Sequence, residues 1–176
     1  MTTFALSAVG RDRPGIVAAV AGALAADGVN IEDSQMSILR GHFAMVLIVQ
    51  SPEGVDAERL GADLRAVGDE LDLEALALTP VADAAPAAAA EPSHMVSVYG
   101  ADHPGIVHAI ASSLAEARVN ITGLTTKLVG DQSGEPLYVM LLEVAAGTAD
   151  PAALLAPVAA AQGVDVSVRP LEPATL

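Results

Sequence analysis

The chain has no cysteine and no tryptophan, and Phe, Trp and Tyr together make up only 2% of it. Without cysteine there are no disulfides, no thiolate metal ligands and no sulfur nucleophile, a composition that fits a reducing compartment. With so few aromatics the core has to be built from Val, Ile, Leu and Ala, which suits thin two-layer folds. Basic residues are scarce as well: 8 Lys and Arg stand against 22 Asp and Glu, a formal net charge of -14. Phosphate backbones and anionic lipid surfaces both demand a basic face, so the charge argues against nucleic acid and against membrane docking. No apolar run approaches the roughly 18 residues of a membrane span. Arg11 and Arg13 ahead of the apolar run from Ile16 to Ala26 imitate a secretory signal. A similar segment from Pro104 to Ala117 recurs deep inside the chain, so both are expected to be core helices and the protein cytoplasmic.

What is present is a repeat. Shifting the 176-residue sequence by 90 positions aligns SAVGRDRPGIVAAVAGALAADGVNI, from Ser7, with SVYGADHPGIVHAIASSLAEARVNI, from Ser97. The identities include Gly10/Gly100, Asp12/Asp102, Pro14/Pro104, Gly15/Gly105, Ile16/Ile106 and Val17/Val107, and further on Leu24/Leu114, Val29/Val119, Asn30/Asn120 and Ile31/Ile121. Internal repetition of this kind means one structural unit used twice. The Pro/Ala-rich stretch between the copies has the composition of an extended linker. The expected division is a first domain over 1–79, a linker over 80–93 and a second domain over 94–172.

Each copy reads as strand, helix, strand, strand, helix, strand. In the first, Phe4 to Val9 is a short apolar strand. Pro14 suits the first turn of the helix that follows, where its missing N–H costs nothing. Ile16, Val20 and Leu24, with Val17 and Ala21 beside them, form an apolar stripe at helical spacing, and Asp27-Gly28 ends the helix. Ile31 to Leu39 and Phe43 to Gln50 are strands about a tight turn, Asp56 to Leu71 a second helix, and Leu73 to Leu78 the closing strand. The second copy follows suit: Ile106, Val107, Ile110 and Leu114 form its stripe, and residues 130–134 make a longer hairpin loop. In its last strand Val164, Val166 and Val168 alternate with Asp165, Ser167 and Arg169. The fold class is therefore α+β, two tandem ferredoxin-like βαββαβ domains, each an antiparallel sheet with its helices on one face. The other face needs cover, so pairing with another module is expected.

Gly-x-Asp-x-Pro-Gly-Ile-Val, followed by Val-Asn-Ile at the head of the second strand and present twice, resembles the ACT domain. Two such modules with no catalytic domain between them are similar to the glycine cleavage system transcriptional repressor group. The resemblance covers nearly the whole chain apart from the linker and the last residues. It implies a regulatory protein that senses a small molecule, an amino acid, without catalysis or cofactor, forms a homo-oligomer and acts through a partner protein. It also implies a ligand site between the loop after the first strand and the second strand of a neighbouring module. Carried over residue by residue, that site comprises Asp12, Pro14, Gly15, Ile16, Asn30 and Ile31, and in the second copy Asp102, Pro104, Gly105, Ile106, Asn120 and Ile121. Serine-sensing domains of phosphoglycerate dehydrogenase carry Asn where Asp12 and Asp102 stand here, and His where Gly10 and Gly100 stand. The carboxylate loses the amide donors and gains a charge that favours an ammonium group over a carboxylate.

The loop chemistry stands without the family. A helix N-terminus offers unpaired N–H groups and partial positive charge to a ligand carboxylate. Gly15 and Gly105 leave the approach open, and Asp12 or Asp102 supplies an anion for an ammonium group. The plainer alternative is that each Asp caps its helix. For Asn30 and Asn120 it is that Asn tolerates a left-handed turn between helix and strand. His42, His94, His103 and His108 recur at no shared position in the repeat and show no metal-ligand spacing. Asp69, Glu70, Asp72 and Glu74 read as a solvated helix end. Two other functions stay open at this point. One is a pure interaction module. The other is an acylphosphatase-like hydrolase using Arg11 or Arg13 with Asn30, an arginine pattern the second copy lacks, having Ala101 and His103 instead.

Overall fold

The computed structural model describes residues 1–81, 90–130 and 136–172. The chain divides into two compact units, Met1–Ala85 and Pro86–Leu176. Most of the expected linker, residues 82–89, and most of the expected loop at 130–134 lie outside the described residues.

The first unit runs β1 (Thr2–Arg11), α1 (Ile16–Ala26), β2 (Asn30–Leu39), β3 (His42–Ser51), α2 (Ala57–Glu70) and β4 (Leu73–Pro80). The second repeats it as β5 (His94–Ala101), α3 (Ile106–Glu116), β6 (Asn120–Val129), β7 (Leu137–Ala145), α4 (Pro151–Gln162) and β8 (Val164–Pro170). Each forms a four-stranded antiparallel sheet, in the order β2-β3-β1-β4 and β6-β7-β5-β8. The ferredoxin-like expectation is met in both.

Alternation along the central strands decides which face is buried. Phe4, Leu6 and Ala8 of β1, with Phe43, Met45, Leu47 and Val49 of β3, turn inward onto Ile16, Val20 and Leu24 of α1 and Leu60 and Leu64 of α2. The second core repeats the plan with Val96 and Val98, Met140, Leu142 and Val144, Ile106, Ile110 and Leu114, and Leu155. The valine alternation in β8 holds, with Val164 buried and Asp165, Ser167 and Arg169 exposed. The stripe on the first helix is narrower than the sequence implied. Val17 is 47% and Val107 39% exposed, because each points away from the core line of positions three and four apart toward the sheet edge.

Local chemistry explains the boundaries. Arg40 and Gly41 both have positive φ, 52° and 83°, so a two-residue turn joins β2 to β3. Asp56 and Asp150 cap α2 and α4, each carboxylate accepting from two backbone N–H groups ahead of it. The strands outrun their sequence limits by one or two residues. Val81 N–H donates to the Thr3 carbonyl just beyond β4. At the other end of the expected linker, Ser93 N–H donates to the Val144 carbonyl, and its Oγ accepts from Ala146 N–H at 3.0 Å. Ser93 is thus tied into the second sheet.

Candidate functional site

Both copies enter their first helix through the same turn. Pro14 does not lie in the first helical turn. The helix starts two residues later, at Ile16, with Gly15 at its N-cap, φ 101° and ψ -16°. Gly105 repeats this at φ 104° and ψ -13°. An L side chain rarely adopts such a backbone, so glycine is required here for its dihedral angles rather than for space. Neither N-cap carries a side-chain hydrogen bond. The capping alternative for Asp12 and Asp102 therefore fails, since both lie too far upstream. Among the described residues neither carboxylate has a hydrogen-bond or ion-pair partner.

The Asp12 N–H donates to the Gly41 carbonyl at 2.9 Å and pins the loop to the β2–β3 turn. Beside it lies an open depression of about 500 Å³ bordered by Asp12, Arg13, Pro14, Gly15, the first turn of α1, Met36 and Phe43. A second hollow of about 180 Å³ shares Val17, Ala21 and Met36 with the first and continues past Ile31 and Gln35 of β2 and Met45 of β3. The N–H groups of Ile16, Val17 and Ala18 at a helix start have no intrahelical partner, so the upper depression offers donors and partial positive charge beside a free carboxylate. Its floor is apolar. Ile16 borders it with its side chain buried in the core, as the side chain of Ile106 is in the second module.

Asn30 is elsewhere. It pairs with Gln50 at the opposite end of the sheet, and β2 is ten residues long, so about 30 Å separate it from the Asp12 loop. It borders another depression with Gly28, Gln50 and Pro52. Asn30 and Asn120 are not left-handed either; Gly28 and Arg118 take that role at φ 69° and 58°. Each Asn instead opens its edge strand, just ahead of a register shift that recurs at Ile31/Asp33 and Ile121/Gly123. One module thus assembles Asp12, Pro14 and Gly15 but not Asn30.

Sequence reasoning missed Met36 and Phe43. Ser34, Met36 and Ile38 pair with Leu47, Met45 and Phe43, so alternation sets them on the helix side of the sheet. Met36 nonetheless remains 45% exposed, because β2 is the edge strand beyond the reach of α1. The apolar pair Met36 and Ile38, two apart in a largely polar strand, was the available signal.

The second module differs around the same loop. His103 stands at the position of Arg13, and its Nε2 lies 2.9 Å from the Gln162 carbonyl and its Nδ1 3.2 Å from the Pro104 carbonyl. Both partners only accept, so the doubly protonated ring satisfies both. The Gln162 carbonyl, then that of Pro104, holds the pKa above 6.5 against some desolvation, with Asp102 adding to the rise. Tyr138 is 9% exposed, and its OH lies 3.9 Å from the Met140 sulfur. Burial pushes its phenol up, a hydrogen bond from Thr126 pulls it back, and the nearby Asp102 charge raises it. Among the described residues no group of His, Asp or Glu side chains is arranged to hold a metal ion. No helix there is long and apolar enough to cross a membrane.

The fold and the repeated loop define a tandem pair of small βαββαβ modules, and comparison with known proteins gives the class its name. The ACT domain matches residues 2–76. A UPF0237 protein of Methanopyrus kandleri is 39% identical over 77 residues, 43% of this chain and 86% of that protein. The chain belongs to the ACT domain family. Similarity through both modules extends to a phosphoserine phosphatase of Streptomyces coelicolor, 28% identical over 94% of this chain but only 39% of that enzyme. Among solved structures, a protein of unknown function from Galdieria sulphuraria superposes with a TM-score of 0.77 at 27% identity, covering 97% of this chain and 99% of that one. A candidate glycine cleavage system transcriptional repressor gives 0.72 at 18% identity, with 98% of each chain covered, a likeness of fold.

Proposed function

We propose that this chain is a non-catalytic regulatory protein that binds an amino acid at the β1–α1 loop of each module and passes the signal to a partner protein. The single observation that carries this reading is the free Asp12 carboxylate, next to the unpaired N–H groups of α1, at the rim of an apolar hollow. A zwitterion needs an anion, a cluster of donors and a place for its side chain, and the loop supplies all three. The site residues are those named from the sequence, now with Met36 and Phe43 as the floor.

Asn30 joins such a site only from a neighbouring module, and a second copy of the chain can supply it. β2 is exposed along its whole length, with one edge unpaired among the described residues. Antiparallel pairing of two β2 edges about a two-fold axis would carry Asn30 of the partner subunit to the end of the sheet where Asp12 lies. The reading therefore includes a homodimer, in the cytoplasm, with no direct nucleic-acid or membrane contact.

Thermal unfolding of the full chain against the proteinogenic amino acids tests it. Saturating a site a hundredfold above its dissociation constant stabilises by about 2.7 kcal/mol, so one or a few amino acids should raise Tm by several degrees. A flat response to all of them refutes amino-acid sensing. The favoured reading is then an interaction module working through the exposed Met36, Ile38 and Leu39 of β2.

A further inference from the structure

The two loops match in backbone and differ in floor. In the first module Gly10 pairs with Phe43 and Met36 with Met45. In the second Gly100 pairs with Tyr138 and Thr126 with Met140. The register thus sets Tyr138 where Phe43 stands and Thr126 where Met36 stands, under loops whose glycine N-caps differ by only 3° in φ, 101° against 104°. Val17 and Ala21, which border the first module's hollow, have Val107 and Ala111 as counterparts, so the helix residues at these positions are the same. The first floor is a phenyl ring and a thioether. The second is a phenol and a hydroxyl, set side by side by the pairing of β6 and β7, with the phenol 3.9 Å from the Met140 sulfur.

We propose that the two modules select different amino acids, the first an aliphatic side chain and the second one bearing a hydroxyl, with Met36 and Phe43 against Thr126 and Tyr138 as the deciding residues. The inference rests on the reading that each loop holds an amino acid. The phenol of Tyr138 has one donor and two acceptor positions, more than the Thr126 hydroxyl and the distant Met140 sulfur fill. A ligand hydroxyl uses the remainder. An aliphatic side chain would strip water from the exposed Thr126 hydroxyl and return nothing to it or to the buried phenol, which is costly. The selectivity is uneven for the same reason. A hydrogen-bonding site rejects an analogue lacking the hydroxyl strongly, whereas an apolar floor rejects an added hydroxyl by only ~100-fold.

L-Valine and L-threonine are isosteric and differ in a methyl against a hydroxyl, so they isolate the floor. Calorimetric titration of the full chain should find one tight site per chain for each. The valine site should disappear in Asp12→Ala and the threonine site in Asp102→Ala. Replacing the second floor by the first, Thr126→Met with Tyr138→Phe, installs residues the protein already accommodates at those register positions. This variant should take valine at both sites and lose at least tenfold in threonine affinity. Tyr138→Phe alone, which deletes one atom, should give an intermediate loss. Equal binding of each probe at both sites, or an unchanged threonine affinity in the double variant, overturns the proposal while leaving amino-acid sensing intact. Binding of neither probe overturns it as well. The Tm panel then shows whether sensing itself has failed, by whether any other amino acid stabilises the chain.

Discussion

Gly100→Ala should destabilise the second module although it adds one methyl group to a small-residue position. A Cβ there would lie 2.7 Å from Val164 Cγ1, 3.2 Å from its Cβ and 3.3 Å from its Cα. The first contact belongs to a β-branched side chain, stiff about χ1 and buried in the core, which has nowhere to turn. The other two lie on or next to the backbone of β8, which is paired with β5 at that residue. The strands must therefore move apart locally, and overpacking of this kind costs about 1–3 kcal/mol. For a module of this size that is a fall in Tm of roughly 4–8 °C per kcal/mol. Gly22→Ala is the control: it lies in the middle of α1 with nothing within 4 Å, so the added methyl should stabilise by about 0.5–1 kcal/mol. Urea unfolding followed by circular dichroism reads both. A Gly100→Ala midpoint equal to or above wild type would refute the close approach of β5 and β8.

Two further outcomes follow from the loops. Gly15→Ala meets no neighbour, so its whole cost, about 1–3 kcal/mol, is the backbone strain of a φ of 101°; ligand-free unfolding should show it, and the ligand-induced rise in Tm should be lost. His103 has a raised pKa, so its contribution is complete below 6.5 and is lost as pH rises through the elevated value. The stability gap between wild type and His103→Phe, measured by urea unfolding, should therefore be wider at about pH 5.5 than at about pH 8.5. A gap independent of pH would contradict the His103–Gln162 tie.

The repeat made the fold legible, because the switch from period two to period 3.6 and back occurs twice in the same order. The β1–α1 turn was legible too, through Pro14-Gly15 and Pro104-Gly105. The role of Pro14 was not, since nothing local distinguishes a proline inside the first turn from one just ahead of a left-handed N-cap. Asn30 sits far from Asp12 in its own module, because a helix and the strand after it run in opposite directions and return the chain to the far end of the sheet, and the family resemblance sets it against a neighbouring module's loop. Met36 and Phe43 escaped notice because their role depends on which strand forms the edge. Strand order is set by pairing across the whole module, which hydrophobic spacing within one segment does not record.

The claim that Asp12 serves a ligand rather than the fold is tested most directly by titrating wild type and Asp12→Ala with the amino acid that gives the largest Tm rise, alongside ligand-free unfolding of both. Losing a charge-assisted hydrogen bond to an ammonium group costs about 1.5–3 kcal/mol, so affinity at the first site should fall at least about tenfold. Ligand-free stability should stay within about 0.5 kcal/mol of wild type, because Asp12 caps nothing. Unchanged affinity, or a ligand-free loss near 1 kcal/mol as a helix cap would give, contradicts the claim.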